Sequence, residues 1–146
     1  MNKLVPYLFS TMLAVGTAHA APDTIVSDSV LHAIHMVESG GKLKSPLGDG
    51  GRARGPYQIH YNYWFDAVSY DRSIGGKYED VDSKEYSERI IRSYMRRYAP
   101  KGATNKDIAM IHNGGCNILK KVGSTAYSNA VRYWDKVKKH IKITKQ

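Results

Sequence analysis

The sequence contains a single cysteine, Cys116, and no long hydrophobic run after its first 20 residues. One cysteine excludes an internal disulfide framework and any zinc site built from several cysteines. The lack of a further apolar run of about 20 residues excludes a membrane-spanning helix in the rest of the chain. Internal repeats and low-complexity tracts are also missing. A chain of 146 residues therefore predicts one globular domain whose apolar core holds it together without disulfides.

Acidic residues are scarce relative to basic ones. The chain has 13 Asp and Glu against 22 Lys and Arg, which gives a net charge of +9. Such an excess favours an acidic partner: nucleic acid, an anionic membrane or an anionic cell-wall polymer. The basic residues recur on one face of a predicted helix and crowd the C-terminal end, as Arg89, Arg92, Arg96 and Arg97, and Lys136, Lys138, Lys139, Lys142 and Lys145. A basic binding module without catalysis is therefore one alternative, although no nucleic-acid motif accompanies the charges.

The N-terminal segment has the pattern of a secretory signal peptide. Lys3 supplies a positive start, residues 4–15 are mostly apolar, and residues 18–20 read Ala-His-Ala, a small-x-small cleavage site. The apolar run is shorter than the ~20 residues of a membrane span, so we favour cleavage over an anchor. We predict a signal peptide over residues 1–20 and a secreted, soluble domain over residues 21–146.

The hydrophobic pattern predicts a mainly helical α+β fold. Apolar residues at helical spacing indicate helices over residues 23–39, 83–99, 104–111 and 127–141. Glycines cluster over residues 43–59 and indicate one β-like excursion, followed by a short helix that ends near residue 65. In the last helix we expect Val131, Trp134 and Val137 to face the core.

One carboxylate stands where an apolar residue is expected. Glu38 follows Ile34 by four residues and Leu31 by seven, so helical geometry puts all three on one face. It also lies in the last turn of the helix, where the dipole is negative. Burial and the dipole both disfavour the ionised form and raise the pKa of the carboxyl group. A carboxylic acid that stays protonated suits a general acid acting on a glycosidic oxygen, whereas a solvated helix-end glutamate is the alternative.

A second carboxylate follows in the glycine-rich segment. Asp49 lies eleven residues after Glu38, within Gly48-Asp49-Gly50-Gly51. Glycines allow the backbone to turn sharply and to approach a ligand closely. An acid on such a turn, facing the end of the first helix, would complete a pair of carboxylates for glycoside hydrolysis. An ordinary turn aspartate is the alternative.

Several short segments, in order along the chain, are similar to those of one family. They are His35-Met36-Val37-Glu38-Ser39-Gly40-Gly41, Gly55-Pro56-Tyr57-Gln58-Ile59 with Tyr63-Trp64-Phe65-Asp66, Ile111-His112-Asn113-Gly114-Gly115, and Tyr133-Trp134-x-x-Val137. The first resembles the end of the catalytic helix in the lysozyme-like superfamily, and the others resemble elements of invertebrate-type (destabilase-like) lysozymes. These lysozymes are usually rich in disulfides, so a chain with one cysteine resembles a divergent branch.

The resemblance implies a lysozyme-like fold with a small β-hairpin lobe, and a cleft between that lobe and the helices. It implies a secreted lysozyme that cleaves β-1,4 links of bacterial peptidoglycan. By position, Glu38 corresponds to the general acid. Asp49 corresponds to the hairpin aspartate, which acts as nucleophile or as stabiliser of an oxocarbenium-like sugar.

The resemblance also implies substrate contacts. Tyr57 and Gln58 are expected on the cleft floor, and His112 and Asn113 are expected to face the sugar or peptide from the opposite lobe. No cofactor and no metal are needed for this chemistry. The expected partner is peptidoglycan, not nucleic acid, with no membrane span after signal cleavage. No Ser-His pair is supported by the sequence, so the isopeptidase activity claimed for some relatives is not carried over.

Two further alternatives remain open. A lytic transglycosylase uses the same helix-end glutamate without a second carboxylate, and a hydroxyl of the sugar itself attacks to leave an anhydro product. A metal site is suggested by His32, His35 and Glu38, which recur every three residues. No third histidine stands at a ligand spacing and the His-Glu-x-x-His motif is absent, which disfavours the metal site.

Overall fold

The computed structural model describes residues 25–141. The predicted signal peptide and the last two lysines of the basic C-terminus lie outside the described residues. The regular elements, in chain order, are α1 (Asp28–Ser39), β1 (Ala53–Arg54), β2 (Ile59–His60), α2 (Tyr61–Tyr70), α3 (Lys84–Tyr98), α4 (Asn105–Gly114) and α5 (Thr125–Val137). Short 3-10 turns occupy Asp49–Gly51, Arg72–Ile74, Tyr78–Asp82, Ile118–Lys120 and Lys138–His140. The prediction of a mainly helical α+β fold is confirmed.

Helix α1 begins and ends where its sequence supplies caps. The Ser27 hydroxyl accepts a hydrogen bond from the Val30 amide, which satisfies one of the free N–H groups of the first turn. At the other end Gly40 adopts a left-handed conformation with φ of 63°, and its amide bonds the Met36 carbonyl. This glycine cap ends the helix at Ser39, one residue after Glu38.

The glycine-rich segment forms a small hairpin. Strands β1 and β2 are antiparallel, with Ala53 opposite His60, and the turn between them contains Gly55. Gly55 has a φ of 77°, and a Cβ there would lie 2.0 Å from the Val81 carbonyl oxygen, so only glycine fits. The following helix, α2, extends to Tyr70 and is longer than predicted.

The core lies where the helices meet. Helix α4 packs on α5, α2 packs on α3, and α1 contacts both α4 and α5. The largest fully buried side chains are mostly branched and aliphatic, among them Leu31, Ile34, Ile90, Ile91, Ile108, Ile111 and Ile118. Cys116 is half-buried against this core and is a free thiol. The core therefore supplies the stabilisation that the chain does not draw from disulfides.

The arginine stripe of α3 is largely used inside the fold. Arg92 is paired with Asp28 of α1, Arg96 is paired with Asp71 at the end of α2, and Arg97 donates to the Asp66 carbonyl at 3.0 Å. Arg89 lies near the Ile74 carbonyl, 3.4 Å away. The stripe ties α3 to its neighbours, which weakens the expectation that it is an open, solvated basic face.

Candidate active site

Glu38 lies at the end of α1 with its side chain largely buried, only 19% exposed. Ile34, one turn earlier on the same face, is completely buried. Burial raises the pKa of the Glu38 carboxyl, while a hydrogen bond from Tyr133 and the charge of Lys136 act in the opposite direction. The predicted position on the apolar face and the predicted direction of the pKa shift are both confirmed.

Tyr133 is the partner of this carboxyl group. Its hydroxyl donates to Oε1 of Glu38 at 2.6 Å, and its own pKa is raised well above the usual value, mainly by burial. The sequence pattern did not predict this contact, because it places Val131, Trp134 and Val137 on the core face of α5. The buried residues are instead Ala130, Tyr133 and Val137. Val137 is placed correctly, whereas the other two buried residues each precede the predicted one by one position. Val131 and Trp134 are only partly buried.

His112 of α4 lies behind the carboxyl group. Its side chain is 4% exposed, and its Nε2 is 3.2 Å from the Tyr57 carbonyl and 3.8 Å from Glu38 Oε1. Because a carbonyl oxygen can only accept, Nε2 carries the hydrogen. Burial lowers the pKa of His112 to about 4, so at neutral pH it is uncharged and does not form an ion pair with Glu38. Within the described residues Nδ1 is buried without a hydrogen-bond partner.

Asp49 lies in the 3-10 turn that precedes β1. Its side chain is 46% exposed and contacts two bases, Arg52 at 2.9 Å and His60 at 3.4 Å. Its φ of 48° is in the left-handed region, which is unfavourable for a residue other than glycine. The structure therefore places this carboxylate on a strained turn of the hairpin lobe.

Gln58 connects the hairpin turn to the loop after α1. Its side-chain amide donates to the Pro46 carbonyl at 3.2 Å and to the Gly55 carbonyl at 3.0 Å, and its φ is 49°. A Cβ at Gly48 would lie 2.0 Å from Gln58 Oε1, so the glycine leaves room for the amide. These two hydrogen bonds fix the orientation of the Gln58 amide within the protein.

These side chains surround an open cleft. One hollow of about 270 Å³ is lined by Glu38, Asp49, Ala53, Gln58, His60, His112 and Asn113. A second hollow of about 280 Å³ also contains Glu38 and Gln58 in its wall and continues over residues 39–48. Because the two hollows share Glu38 and Gln58, the cleft continues past Glu38 towards the loop after α1. Five of the six predicted site residues line it together.

Tyr57 is the sixth, and its expected place on the cleft floor is wrong. Its side chain is completely buried, its hydroxyl donates to Glu88 at 2.6 Å, and its ring packs 5.3 Å from that of His35. Burying this aromatic ring between α1 and α3 removes a large apolar surface from water and so stabilises the core. Tyr57 reaches the site only through its carbonyl, which holds His112.

His35 of α1 belongs to the core and contacts the loop that follows the helix. His35 is buried, and its Nε2 lies 3.0 Å from the Lys42 carbonyl. Across residues 25–141 no group of three or more His, Cys, Asp or Glu side chains is arranged to hold a metal ion.

A helix-end glutamate over a cleft, faced by a hairpin carboxylate in a mainly helical α+β fold, defines a lysozyme-like protein. The chain belongs to the Destabilase family, which it matches over residues 27–140. The resemblance to destabilase-like lysozymes, which four sequence segments indicate, is therefore confirmed.

Two solved structures show the same fold. One is the complex of Aeromonas hydrophila PliI with Meretrix lusoria lysozyme, with 28% identity and a TM-score of 0.64. The other is Tapes japonica lysozyme, with 29% identity and a TM-score of 0.60. In both cases the match covers 79% of this chain and 90% of the other. No curated protein sequence is significantly similar to the chain.

Proposed function

We propose that this lysozyme-like protein is a secreted muramidase that hydrolyses β-1,4 glycosidic bonds of bacterial peptidoglycan. The observation that carries the proposal is the environment of Glu38. A largely buried carboxyl group with a raised pKa lies in the wall that two neighbouring hollows of the cleft share. A carboxyl group whose protonated form is favoured by burial suits donation of a proton to a glycosidic oxygen.

Glu38 is the general acid in this reaction. Its Oε1 accepts the hydrogen bond from Tyr133, so the acidic proton resides on Oε2. That proton moves to the glycosidic oxygen, the bond from this oxygen to C1 of the sugar breaks, and the electron pair leaves with the oxygen. Positive charge then develops on the sugar ring.

Asp49 stabilises this charge or attacks C1 as the nucleophile. Water completes the reaction by adding its oxygen to C1 and giving a proton to Glu38; where Asp49 has bonded to C1, that bond breaks and its electron pair returns to the Asp49 carboxylate. Gln58 and Asn113 supply amide groups, and His112 lies behind them in the cleft wall. No cofactor or metal takes part in these steps.

The proposed site of action is outside the cytoplasm. We propose residues 1–20 as a cleaved signal peptide and residues 21–146 as the lysozyme-like catalytic domain. Within residues 25–141, no helix is both long and apolar enough to cross a membrane. The net charge of +9 favours attraction to an anionic wall polymer.

The test is mass spectrometry of the soluble fragments that the protein releases from purified peptidoglycan. We expect muropeptides with free reducing ends, and none when Glu38 is replaced in Glu38→Gln, which keeps the hydrogen-bonding shape and removes the acidic proton. Asp71→Asn, a change at an ion-paired aspartate just after α2, is the matched control and is expected to keep activity. Equal activity of Glu38→Gln and the parent protein contradicts the assignment of the acid.

The alternative product is an anhydro-muropeptide, formed by a lytic transglycosylase. The observation that favours this alternative is that the Asp49 carboxylate already contacts Arg52 and His60, on an exposed turn. Anhydro products that depend on Glu38, and that persist in Asp49→Asn, would establish the transglycosylase. The absence of any Glu38-dependent fragment would leave a non-catalytic wall-binding protein.

A further inference from the structure

Two aromatic side chains of α2 are exposed to solvent. Tyr61 and Phe65 are each 53% exposed, one helical turn apart. Their rings are nearly parallel, with an interplanar angle of 19° and centroids 6.3 Å apart. We call this pair the aromatic ledge. Exposed aromatic residues that are grouped, rather than scattered, mark binding surfaces.

The aromatic ledge rests on a fixed layer. Tyr61 packs on Trp64 and on Tyr78, each with its ring centroid 5.4 Å away. The Trp64 indole donates to the Tyr86 hydroxyl at 3.0 Å, and the Tyr78 hydroxyl donates to the Ile59 carbonyl at 2.7 Å. These hydrogen bonds fix the positions of Trp64 and Tyr78. Because Tyr61 packs on both of these rings, it is held in place while part of its own ring stays exposed to solvent.

The aromatic ledge continues from the cleft. His60 lines the cleft beside Asp49, and Tyr61 is the next residue. Tyr78, which supports Tyr61, also donates to the carbonyl of Arg52, and the Arg52 side chain pairs with Asp49. The cleft wall at its Asp49 end and the ledge are thus adjacent, because β2 ends at His60 and α2 begins at Tyr61.

We propose that Tyr61 and Phe65 bind the sugar rings of a glycan strand that extends beyond the cleft. This inference rests on the proposed function, because it takes the substrate to be a polysaccharide longer than the cleft. The apolar C–H faces of pyranose rings pack on aromatic rings, and Tyr61 and Phe65 expose two nearly parallel rings one helical turn apart.

A protein partner suits the aromatic ledge less well. Two half-exposed rings offer only a small part of the roughly 800 Å² per partner that a specific protein interface buries. Two exposed polar residues are also connected to the ledge: Asn62 follows Tyr61 in the chain, and the Arg52 carbonyl accepts a hydrogen bond from Tyr78, which supports Tyr61. Such polar side chains match sugar hydroxyl groups.

The test compares a long ligand with a short one. The binding protein is full-length Glu38→Gln, so that neither ligand is cleaved. The long probe is peptidoglycan glycan strands stripped of stem peptides, and the short probe is a tetrasaccharide of the same repeat. We expect Tyr61→Ala with Phe65→Ala to weaken binding of the long strands about tenfold and to leave the tetrasaccharide affinity unchanged.

Two control variants separate ring stacking from other effects. Tyr61→Phe keeps the ring and is expected to keep long-strand binding. Tyr70→Ala removes a tyrosine that is 52% exposed at the far end of α2 and makes no ring contact with the ledge among the described residues. It is expected to change neither affinity. Thermal unfolding confirms that each variant is folded.

The outcomes distinguish this inference from the proposed function. The inference is wrong if the two alanines leave the long-strand affinity unchanged, or if Tyr70→Ala lowers that affinity equally. Either result counts against sugar binding by the aromatic ledge even where Glu38-dependent cleavage is observed. A tetrasaccharide affinity that falls as much as the long-strand affinity also overturns it. If the two alanines selectively weaken strand binding but the parent protein shows no Glu38-dependent cleavage, sugar binding by the aromatic ledge is supported and the proposed muramidase activity is wrong.

Discussion

The Tyr133 hydroxyl donates a 2.6 Å hydrogen bond to Oε1 of Glu38, although the two residues are 95 positions apart. Packing of α5 against α1 brings them together, and water is largely excluded from both side chains. A hydrogen bond of this kind favours the ionised carboxylate, so it opposes the effect of burial on the pKa. Tyr133 therefore lowers the pKa of Glu38 from the value that burial alone would give it.

Replacing Tyr133 by phenylalanine should move the pH dependence of activity. Without the hydrogen bond the pKa of Glu38 rises further, so the alkaline limb of the kcat profile shifts to higher pH. We also expect kcat at the optimum to fall about tenfold, because the carboxyl group loses its orientation. Initial rates on peptidoglycan across a pH series measure both effects.

The control for Tyr133→Phe is Tyr127→Phe, at another tyrosine of α5 that packs against the core. It should lower stability slightly without moving the profile. An alkaline limb that stays in place, or moves to lower pH in Tyr133→Phe, contradicts the role given to this hydroxyl.

Asp49→Asn should reduce hydrolysis by no more than Glu38→Gln does. The change removes the negative charge that stabilises or captures the positive sugar, while proton donation by Glu38 remains possible. Reducing-end release from peptidoglycan measures the loss. Arg52→Gln, which removes a partner of Asp49 and keeps its carboxylate, should retain more activity. Full activity of Asp49→Asn would mean that only one carboxylate is needed.

His112 should make the protein less stable in acid. Its pKa is about 4 in the folded protein and 6.5 in an unfolded chain, so the unfolded state binds the extra proton between these values. Keeping His112 neutral therefore contributes fully to the free energy of unfolding above pH 6.5. This contribution, about 3 kcal/mol, is lost as the pH falls from 6.5 towards 4.

Denaturant unfolding of the parent protein and of His112→Gln at a series of pH values measures this contribution. Glutamine keeps a donor for the Tyr57 carbonyl and does not titrate, so its curve should lack the decrease. Glu38 acts in the opposite direction, since its raised pKa makes stability fall as pH increases above 4.5. Equal pH slopes for the parent and His112→Gln would show that His112 is not neutral in the folded state.

Gly48→Ala should disturb the cleft through Gln58. The new Cβ would lie 2.0 Å from Gln58 Oε1, and the displaced amide would lose its bonds to two carbonyls. We expect a loss of about 1 kcal/mol in the free energy of unfolding, with lower activity. In Gly48→Ala with Gln58→Ala the clash is absent, so the stability losses should be less than additive. Additive losses would contradict the coupling.

Local sequence determined much of this protein. The spacing of Leu31, Ile34 and Glu38 is enough to place the carboxyl group on a buried helix face, because helical geometry is regular along one element. The glycines after Ser39 mark where α1 ends, since few other residues adopt the left-handed cap. Helices α3 and α4 also begin next to the predicted caps, at Ser83 and Thr104.

Only the tertiary structure decided which elements meet. Tyr133 and Glu38 are distant in sequence, and no local pattern shows which turn of α5 packs on α1. Tyr57 is in the core because α3 presents Glu88 to its hydroxyl, although its sequence neighbour Gln58 lines the cleft. Burial and hydrogen bonding depend on every element that surrounds a side chain, whereas periodicity describes one element at a time.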